Sequence, residues 1–199
     1  MAIAELDIQE LYVAYFNRPA DVAGLDYWKD ALDANPDALN ELSRSFSTSN
    51  EYRDTYAGMD NRAVVSEVYM NLFGREAEST GVDYWANLLD NKMITIDNVV
   101  TQIADGAEGQ DEIAFKGKIA AATLFTDRLD EPHEQAAYAG ANIDIAAEFL
   151  ATIKDLSSAA DALDTEVVDA WIDRIVDAHT AGETALVGVQ TGAEALPVV

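Results

Sequence analysis

Residues 8–28 read IQELYVAYFNRPADVAGLDYW, and residues 65–85 read VSEVYMNLFGREAESTGVDYW. Subtracting the numbers of matching residues gives one value each time, since 69−12, 75−18 and 85−28 all equal 57. A constant offset across chemically unlike residues indicates an internal repeat, which decides the architecture before any local pattern does. We therefore predict two tandem helical repeats with an offset of 57. The matching pairs include Tyr12 with Tyr69, Arg18 with Arg75, and Trp28 with Trp85.

Each copy is predicted to form a helix, a short loop and a second helix. In the first copy the apolar residues recur at i, i+3, i+4, i+7 and i+8, which places them on one face of an α-helix. Pro19 disfavours helix at the residue before it, and Asp21 stands where it can cap the next helix. In the second copy, Asn61 is the expected cap of a helix that runs through Phe73 and is closed by Gly74. The apolar face of the first copy consists of Ile8, Leu11, Tyr12, Tyr15 and Phe16.

The chain beyond the repeats keeps a helical pattern, although the motif itself is lost after residue 106. Thr165 and Glu166 start a helix with a clear apolar face, which we expect to end before Gly182. Residues 183–199 show no helical face. The predicted fold is therefore an all-α, multi-helix bundle. Its parts are the tandem repeats over 1–106, a further helical region over 107–182, and a linker or fragment end over 183–199.

Large aromatic residues of the motif are predicted to fill the core of this bundle. A buried aromatic side chain gains roughly 1.5–3 kcal/mol on leaving water, and its flat shape packs well between helices. A third tryptophan lies on the apolar face of the helix that starts at Thr165. The predicted core aromatics are Phe16, Trp28, Phe73, Trp85 and Trp171.

The loop of each copy has two interpretations, because it carries an arginine followed three residues later by an acidic residue. In the first interpretation the arginine pins the loop through charge-assisted hydrogen bonds to an acid or to helix-end carbonyls. In the second, arginine and aspartate bind sugar hydroxyls while a tyrosine ring contacts the apolar face of the sugar. The candidate glycan-binding residues are Arg18, Asp21 and Tyr27 in the first copy, and Arg75, Asp83 and Tyr84 in the second.

The charge of the chain excludes several partners. It has 37 acidic residues against 12 Lys plus Arg, a formal net charge of −25, so its surface repels nucleic acid and anionic lipid. There is no cysteine for a disulfide or a thiolate metal site. No run of about 18 apolar residues is present, and we predict no membrane insertion. The N-terminus lacks the basic and apolar regions of a Sec signal peptide, which fits either the cytoplasm or export through a one-step secretion channel.

No sequence motif for catalysis is found, and the chain is predicted not to be an enzyme. The nucleophile elbow, the paired-histidine zinc motif, the dinucleotide-binding loop and the Walker loop are all missing from the sequence. The two histidines, His133 and His179, lie far from any serine pattern that could use them. Calcium prefers six to eight oxygen ligands, and residues 106–112 are acidic and contain glycine. Ca²⁺ is therefore a candidate cofactor, although its ligands are not identified.

The residues of both copies resemble the DUF4214 family motif, roughly lY…lfgR.pD..Gl.yW. The first copy supplies Tyr12, the run from Phe16 to Asp21, and the run from Gly24 to Trp28; the second has Glu78 where the family usually has Asp. The resemblance covers about residues 5–130. It implies a helical domain, similar to phycobilisome linker domains, of the kind found in large acidic proteins exported by the type I route, including S-layer proteins, adhesins and RTX toxins.

An N-terminal position without a signal peptide further resembles the cell-anchoring part of a bacterial S-layer protein, which docks on the O-polysaccharide of lipopolysaccharide. The leading hypothesis is thus a non-enzymatic, extracellular anchoring domain that binds this glycan and self-associates in a lattice with help from divalent cations. One alternative is a structural or oligomerisation module of a type I-secreted adhesin, toxin or hydrolase. Another is an intracellular scaffold like the phycobilisome linkers, which the charge of −25 disfavours.

Overall fold

The structure, a computed structural model, describes the backbone of residues 3–35 and 37–191 and the side chains of 5–35 and 37–182. Across these residues the chain forms twelve α-helices and a single 3-10 helix at Gly140–Asn142, with no β-strand, which confirms the predicted all-α class. The helices are α1 (Ile3–Phe16), α2 (Val22–Ala34), α3 (Ala38–Thr48), α4 (Asn50–Thr55), α5 (Asn61–Phe73), α6 (Ser79–Asp90), α7 (Ile96–Asp105), α8 (Gln110–Arg128), α9 (Pro132–Ala137), α10 (Ile143–Ala151), α11 (Leu156–Asp161) and α12 (Thr165–Thr191).

The bounds of the first three helices of each copy follow the offset read from the sequence. Helices α1 and α5 end 57 residues apart (73−16), as do the starts of α2 and α6 (79−22) and the ends of α3 and α7 (105−48). Local signals explain these bounds. Asp21 caps α2 by accepting a hydrogen bond from the Gly24 backbone N–H at 2.8 Å. Gly74 ends α5 with φ = 67°, the left-handed conformation that glycine adopts without a Cβ penalty.

A fourth helix also belongs to each copy, α4 in the first and α8 in the second. Helix α4 begins at residue 50 and α8 at residue 110, a difference of 60 rather than 57. The three extra residues fall between α7 and α8, where Gly109 adopts φ = 61°. The two fourth helices differ in length, because α4 has 6 residues and α8 has 19.

Helix α8 connects the repeats to the rest of the chain. It packs against α1 and α5 of the repeats and also against α10, α11 and α12, and its residues belong to one continuous core that reaches from Ile8 to Ile175. Phe125 of α8 is fully buried and stacks on the buried Phe149 of α10, with ring centroids 5.8 Å apart. Burying such a ring contributes roughly 1.5–3 kcal/mol. The region after residue 106 therefore shares its core with the repeats.

The predicted core aromatics lie at different depths. Phe73 is buried, while Phe16, Trp28, Trp85 and Trp171 are partly buried and pack against the core. Each repeat tryptophan also meets the tyrosine that precedes it edge-on.

Two predicted helix bounds are wrong. The N-cap of α5 is Asp60, whose carboxylate accepts from the Ala63 backbone N–H at 2.9 Å, and Asn61 is the first helical residue. Helix α12 does not end before Gly182 but continues to Thr191, because a single glycine inside a helix costs only about 1 kcal/mol. The predicted linker is therefore helical up to residue 191, and residues 192–199 lie outside the described part. Within that part, no helix is both long and apolar enough to cross a bilayer.

Candidate functional site

The loop after α1 is held by a largely buried arginine. Arg18 is 8% exposed, and its guanidinium donates to both carboxylate oxygens of Glu51, from Nε at 2.8 Å and from Nη2 at 3.2 Å. It also lies over the rings of Tyr12 and Phe16, 5.1 Å from each centroid. The predicted neighbour Asp21 is engaged as a helix cap instead. Arg18 therefore has little surface left to offer a sugar.

The loop after α5 repeats this arrangement. Arg75 donates to both oxygens of Asp111, from Nε at 2.6 Å and from Nη2 at 2.7 Å, and to Glu78 at 3.1 Å. In both repeats the acid lies in the first turn of the fourth helix, since Glu51 belongs to α4 and Asp111 to α8. Bidentate pairs of this kind fix orientation as well as adding energy. Of the two interpretations, the geometry favours loop pinning for the arginines.

A buried hydrogen-bond network fixes the first loop against α8. The Gln9 side chain donates to Thr126 Oγ1 at 2.8 Å and accepts from the Ala20 backbone N–H at 3.0 Å. Thr126 in turn donates to the Ala20 carbonyl at 2.7 Å, and the Tyr138 hydroxyl donates to the Pro19 carbonyl at 2.7 Å. Because each of these groups is satisfied in a low-dielectric interior, the network holds the start of α2 in one orientation.

A buried lysine joins both repeats to the C-terminal helices. Lys118 is fully buried, and its ammonium donates to Asn17 Oδ1 at 2.8 Å and to the carbonyl of Asn71. Both acceptors are neutral. Burial, with a smaller contribution from the charge of Lys154, lowers the pKa of Lys118 to about 7. Asn17 ends α1 in the left-handed region (φ = 49°) and donates to the Ala147 carbonyl of α10 at 3.4 Å.

A cleft of about 340 Å³ opens where α2 begins. Asp21, Val22 and Ala23 form one wall, and the segment from Leu129 to Ile143 forms the other, including Gln135, Tyr138, Ala139 and Gly140. The volume falls in the range of about 300–1,000 Å³ that is typical of small-molecule sites. The walls are mostly apolar, with the carboxylate of Asp21 and the amide of Gln135 as polar groups.

An exposed tyrosine lies one helical turn from this cleft. Tyr27 is 64% exposed, and it follows Ala23 by four residues, so both face the same side of α2. Its ring meets Trp28 edge-on, with centroids 5.1 Å apart and an interplanar angle of 85°. Trp28 packs against the core, which gives the exposed ring a fixed support. The start of α2 thus combines a cleft, a carboxylate and a flat apolar plate.

The second repeat carries the same plate with different charges around it. Tyr84 is 59% exposed and meets Trp85 edge-on at 5.1 Å. The preceding Asp83 pairs with Arg62, whereas in the first repeat the position equivalent to Arg62 (62−57 = 5) is a glutamate. Asp83 and Tyr84 are neighbours on α6. In the first repeat, Asp21 caps α2 and Tyr27 lies on it. The two arginines face inward or toward the fourth helices.

The sequence analysis did not pair the arginines with Glu51 and Asp111, because these two acids are distant in sequence. Arg18 and Glu51 are 33 residues apart, and Arg75 and Asp111 are 36 apart. Adding the offset of 57 to Glu51 gives residue 108, so the repeat spacing alone does not relate Glu51 to Asp111. An acid in the first turn of the helix that follows the third helix of each copy is the signal that could have identified both.

No metal site accompanies these features in the described residues. There, no group of three or more Asp, Glu or His side chains could hold a metal ion. The acidic residues near 106–112 include Asp111, whose carboxylate is occupied by Arg75. The geometry thus assigns no ligands to Ca²⁺, whose binding stays a prediction.

Comparison with known proteins bears on residues 43–113, which match the profile of the family described as "Domain of unknown function (DUF4214)". This segment is a DUF4214-type domain. The match confirms the resemblance for the second copy of the motif, whereas residues 8–28 lie outside it. The DUF4214 segment begins within α3 and ends in the first turn of α8, so it contains both Glu51 and Asp111. No curated protein and no solved structure matches the chain.

Proposed function

We propose that the protein is a non-enzymatic anchoring domain, active outside the cell, that binds the O-polysaccharide of lipopolysaccharide and supports a surface lattice. The observation that carries this proposal is the exposed Tyr27 one turn from the Asp21 cleft. A large aromatic ring exposed at 64% gains little for folding, since most of its apolar area stays in water. A ring held at the surface is suited to contact a ligand with a flat apolar face.

The chemistry of the site suits a pyranose chain. The C–H face of one sugar would lie on the Tyr27 ring, and its neighbour would enter the cleft, where the carboxylate of Asp21 accepts hydrogen bonds from hydroxyls. The amide of Gln135 donates to the Leu129 carbonyl at 2.8 Å, and its oxygen can accept a further hydroxyl. Tyr84 offers a second plate on α6. Two plates on one protein raise the affinity for a polymer of repeating sugars through effective concentration.

The charge of the protein narrows the glycan class. A chain with a formal charge of −25 repels anionic polymers at moderate salt. We therefore expect a neutral O-polysaccharide, or an acidic one only when divalent cations screen the repulsion. Calcium enters the proposal in this screening role, without assigned ligands.

Binding to lipopolysaccharide from the protein's own host, with and without its O-chain, tests the proposal. We expect O-chain-dependent binding that weakens about tenfold in Tyr27→Ala, because an aromatic contact contributes about 0.5–1.5 kcal/mol beyond area burial. Tyr27→Phe keeps the ring and should bind like the wild type. Met93→Ala, which removes an apolar side chain exposed at 73%, is the matched surface control. Equal binding with and without O-chain would refute the proposal.

A second candidate is a structural module of a secreted adhesin, toxin or hydrolase. The arginines favour this candidate, because Arg18 and Arg75 donate hydrogen bonds to carboxylates of the same chain. Such a module would show no affinity for any O-chain, and Tyr27→Ala would leave all its interactions unchanged. The same binding measurement separates the two candidates.

A further inference from the structure

Helix α5 carries an open groove on its outer side. The groove has a volume of about 450 Å³, and the two methionines in it are 38% and 42% exposed. Its carboxylates belong to Glu67 and Glu76. Exposed methionines beside small residues form an adaptable apolar surface. The other lining residues are Met59, Ala63, Ser66, Met70 and Ala77.

The equivalent face of α1 is closed. Subtracting 57 from Ser66, Met70 and Ala77 gives Gln9, Val13 and Ala20, and these three are all fully buried. Helix α8 covers them, and its Thr126 hydrogen-bonds to both Gln9 and Ala20. One repeat therefore uses this face for helix packing, while its twin leaves the face open.

The difference in length between the fourth helices explains the open face. The part of α8 that covers α1 lies beyond its first turns, in residues 119–126. Helix α4 starts at the equivalent place but ends at Thr55, after 6 residues, so it has no part that could reach across α5. The groove on α5 thus corresponds to the surface that α8 covers on α1.

The segment that covers α1 indicates the composition expected of a helix that would pack on the open face of α5. Residues 119–126, IAAATLFT, carry no charge and are mostly small. An acidic helix would be repelled by Glu67 and Glu76 and by the net charge of the chain. The longest uncharged run of the whole sequence is residues 184–193, TALVGVQTGA, and its backbone is helical up to Thr191 as the end of α12. Like residues 119–126, this run is rich in small and aliphatic residues.

We propose that the end of α12 from a second copy of this protein packs into the α5 groove. The two surfaces are different parts of the molecule, so the contact is heterologous and each copy offers one groove and one helix end. Heterologous contacts give rings or open chains rather than a closed pair. The inference rests on the lattice part of the proposed function and names its contact. It uses none of the glycan contacts, so its failure would leave O-chain binding untouched.

Two variants and two controls test this contact by sedimentation equilibrium over a dilution series. The wild type is expected to reach at least twice the 21.5 kDa of one chain at high concentration. Met70→Glu places a charge in the groove and should remain monomeric, as should Leu186→Glu, which charges the helix end. Met70→Leu keeps the groove apolar and should associate like the wild type, as should Met93→Glu outside the groove. Circular dichroism establishes that each variant is folded.

Mixing the two defective variants gives the decisive result. The Met70→Glu protein has an intact helix end, and the Leu186→Glu protein has an intact groove, so an equal mixture can form one good contact. We expect a species of twice the chain mass and nothing larger, because both remaining surfaces are charged. A wild type that stays monomeric overturns the proposal. So does association that survives Leu186→Glu while Met70→Glu abolishes it, since the groove would then pair with another surface.

Discussion

Lys118 should make the folded protein more stable as pH rises from 7 to 9. Its folded pKa is about 7 against an ordinary value of 10.5, because the charged amine is buried with only neutral acceptors. Between these two values the unfolded chain holds the proton and the folded chain does not. Stability rises with pH wherever the unfolded state binds more protons.

The size of this effect follows from the two pKa values. Each pKa unit corresponds to about 1.4 kcal/mol, and the folded amine is still half protonated at pH 7. The free energy of unfolding should therefore increase by about 2 kcal/mol between pH 7 and pH 9. The measurement stops at pH 9 so that tyrosines do not titrate. Burial raises the pKa of Tyr12 to about 12, so above a pH of about 10 this tyrosine ionises in the unfolded chain but not in the folded one. Stability would then fall with rising pH and reverse the slope.

Urea unfolding at several pH values measures the slope. Lys118→Met removes the titrating amine and should flatten the increase, whatever its effect on stability at any single pH. Lys116→Met is the matched control, because Lys116 lies on the same helix with its side chain 70% exposed and paired with Glu112, and it should keep the wild-type slope. Equal slopes in the wild type and Lys118→Met would refute the argument that Lys118 is buried with a lowered pKa.

Three further predictions concern stability and can be checked by the same unfolding measurement. Arg18→Ala should destabilise by about 2–3 kcal/mol, because the arginine side chain is largely buried although its partner Glu51 is half exposed. Arg75→Ala should cost only about 1 kcal/mol, because its side chain is partly exposed; the reverse order would contradict the loop-pinning geometry. Thr126→Val should cost about 2 kcal/mol, since two buried partners lose a hydrogen bond, and a neutral result would mean that water replaces it. Gly117→Ala should destabilise the protein by about 1–3 kcal/mol, because the new Cβ would lie 2.6 Å from a side chain of α11. Gly182→Ala has open space around it and should stabilise the protein by about 1 kcal/mol or less. Equal effects at the two glycines would show that the α8–α11 contact is looser than described.

The helices of the repeats could be predicted because their signals are local. The apolar face of α1, the cap at Asp21 and the left-handed Gly74 each depend on residues within one or two turns, where helix physics is well determined. The pairing of Arg18 with Glu51 and of Arg75 with Asp111 could not be predicted, because it depends on how the fourth helices pack against the loops. The length of α12 was also missed, since a glycine lowers helix stability without ending the helix.

The candidate site was only partly readable from the sequence. Tyr27 and Trp28 are adjacent, and nothing in their order states which ring is exposed and which packs on the core. The cleft beside Asp21 needs the segment around Gln135, more than 100 residues away. Lys118 is different, because it shares a helix face with the buried Phe115 and Ala122, at spacings of three and four. That spacing alone indicates that this lysine faces inward.

Helix α8 has a consequence for how the protein can be cut. The DUF4214 match ends at residue 113, within the first turn of α8, so an excised 43–113 fragment would lack Lys118 and the whole segment that seals α1. It would also begin in the middle of α3. The stretch that matches the family profile and the stretch that shares one core are thus different. Transplanting this module into another protein requires carrying α1 and the complete α8 along with it.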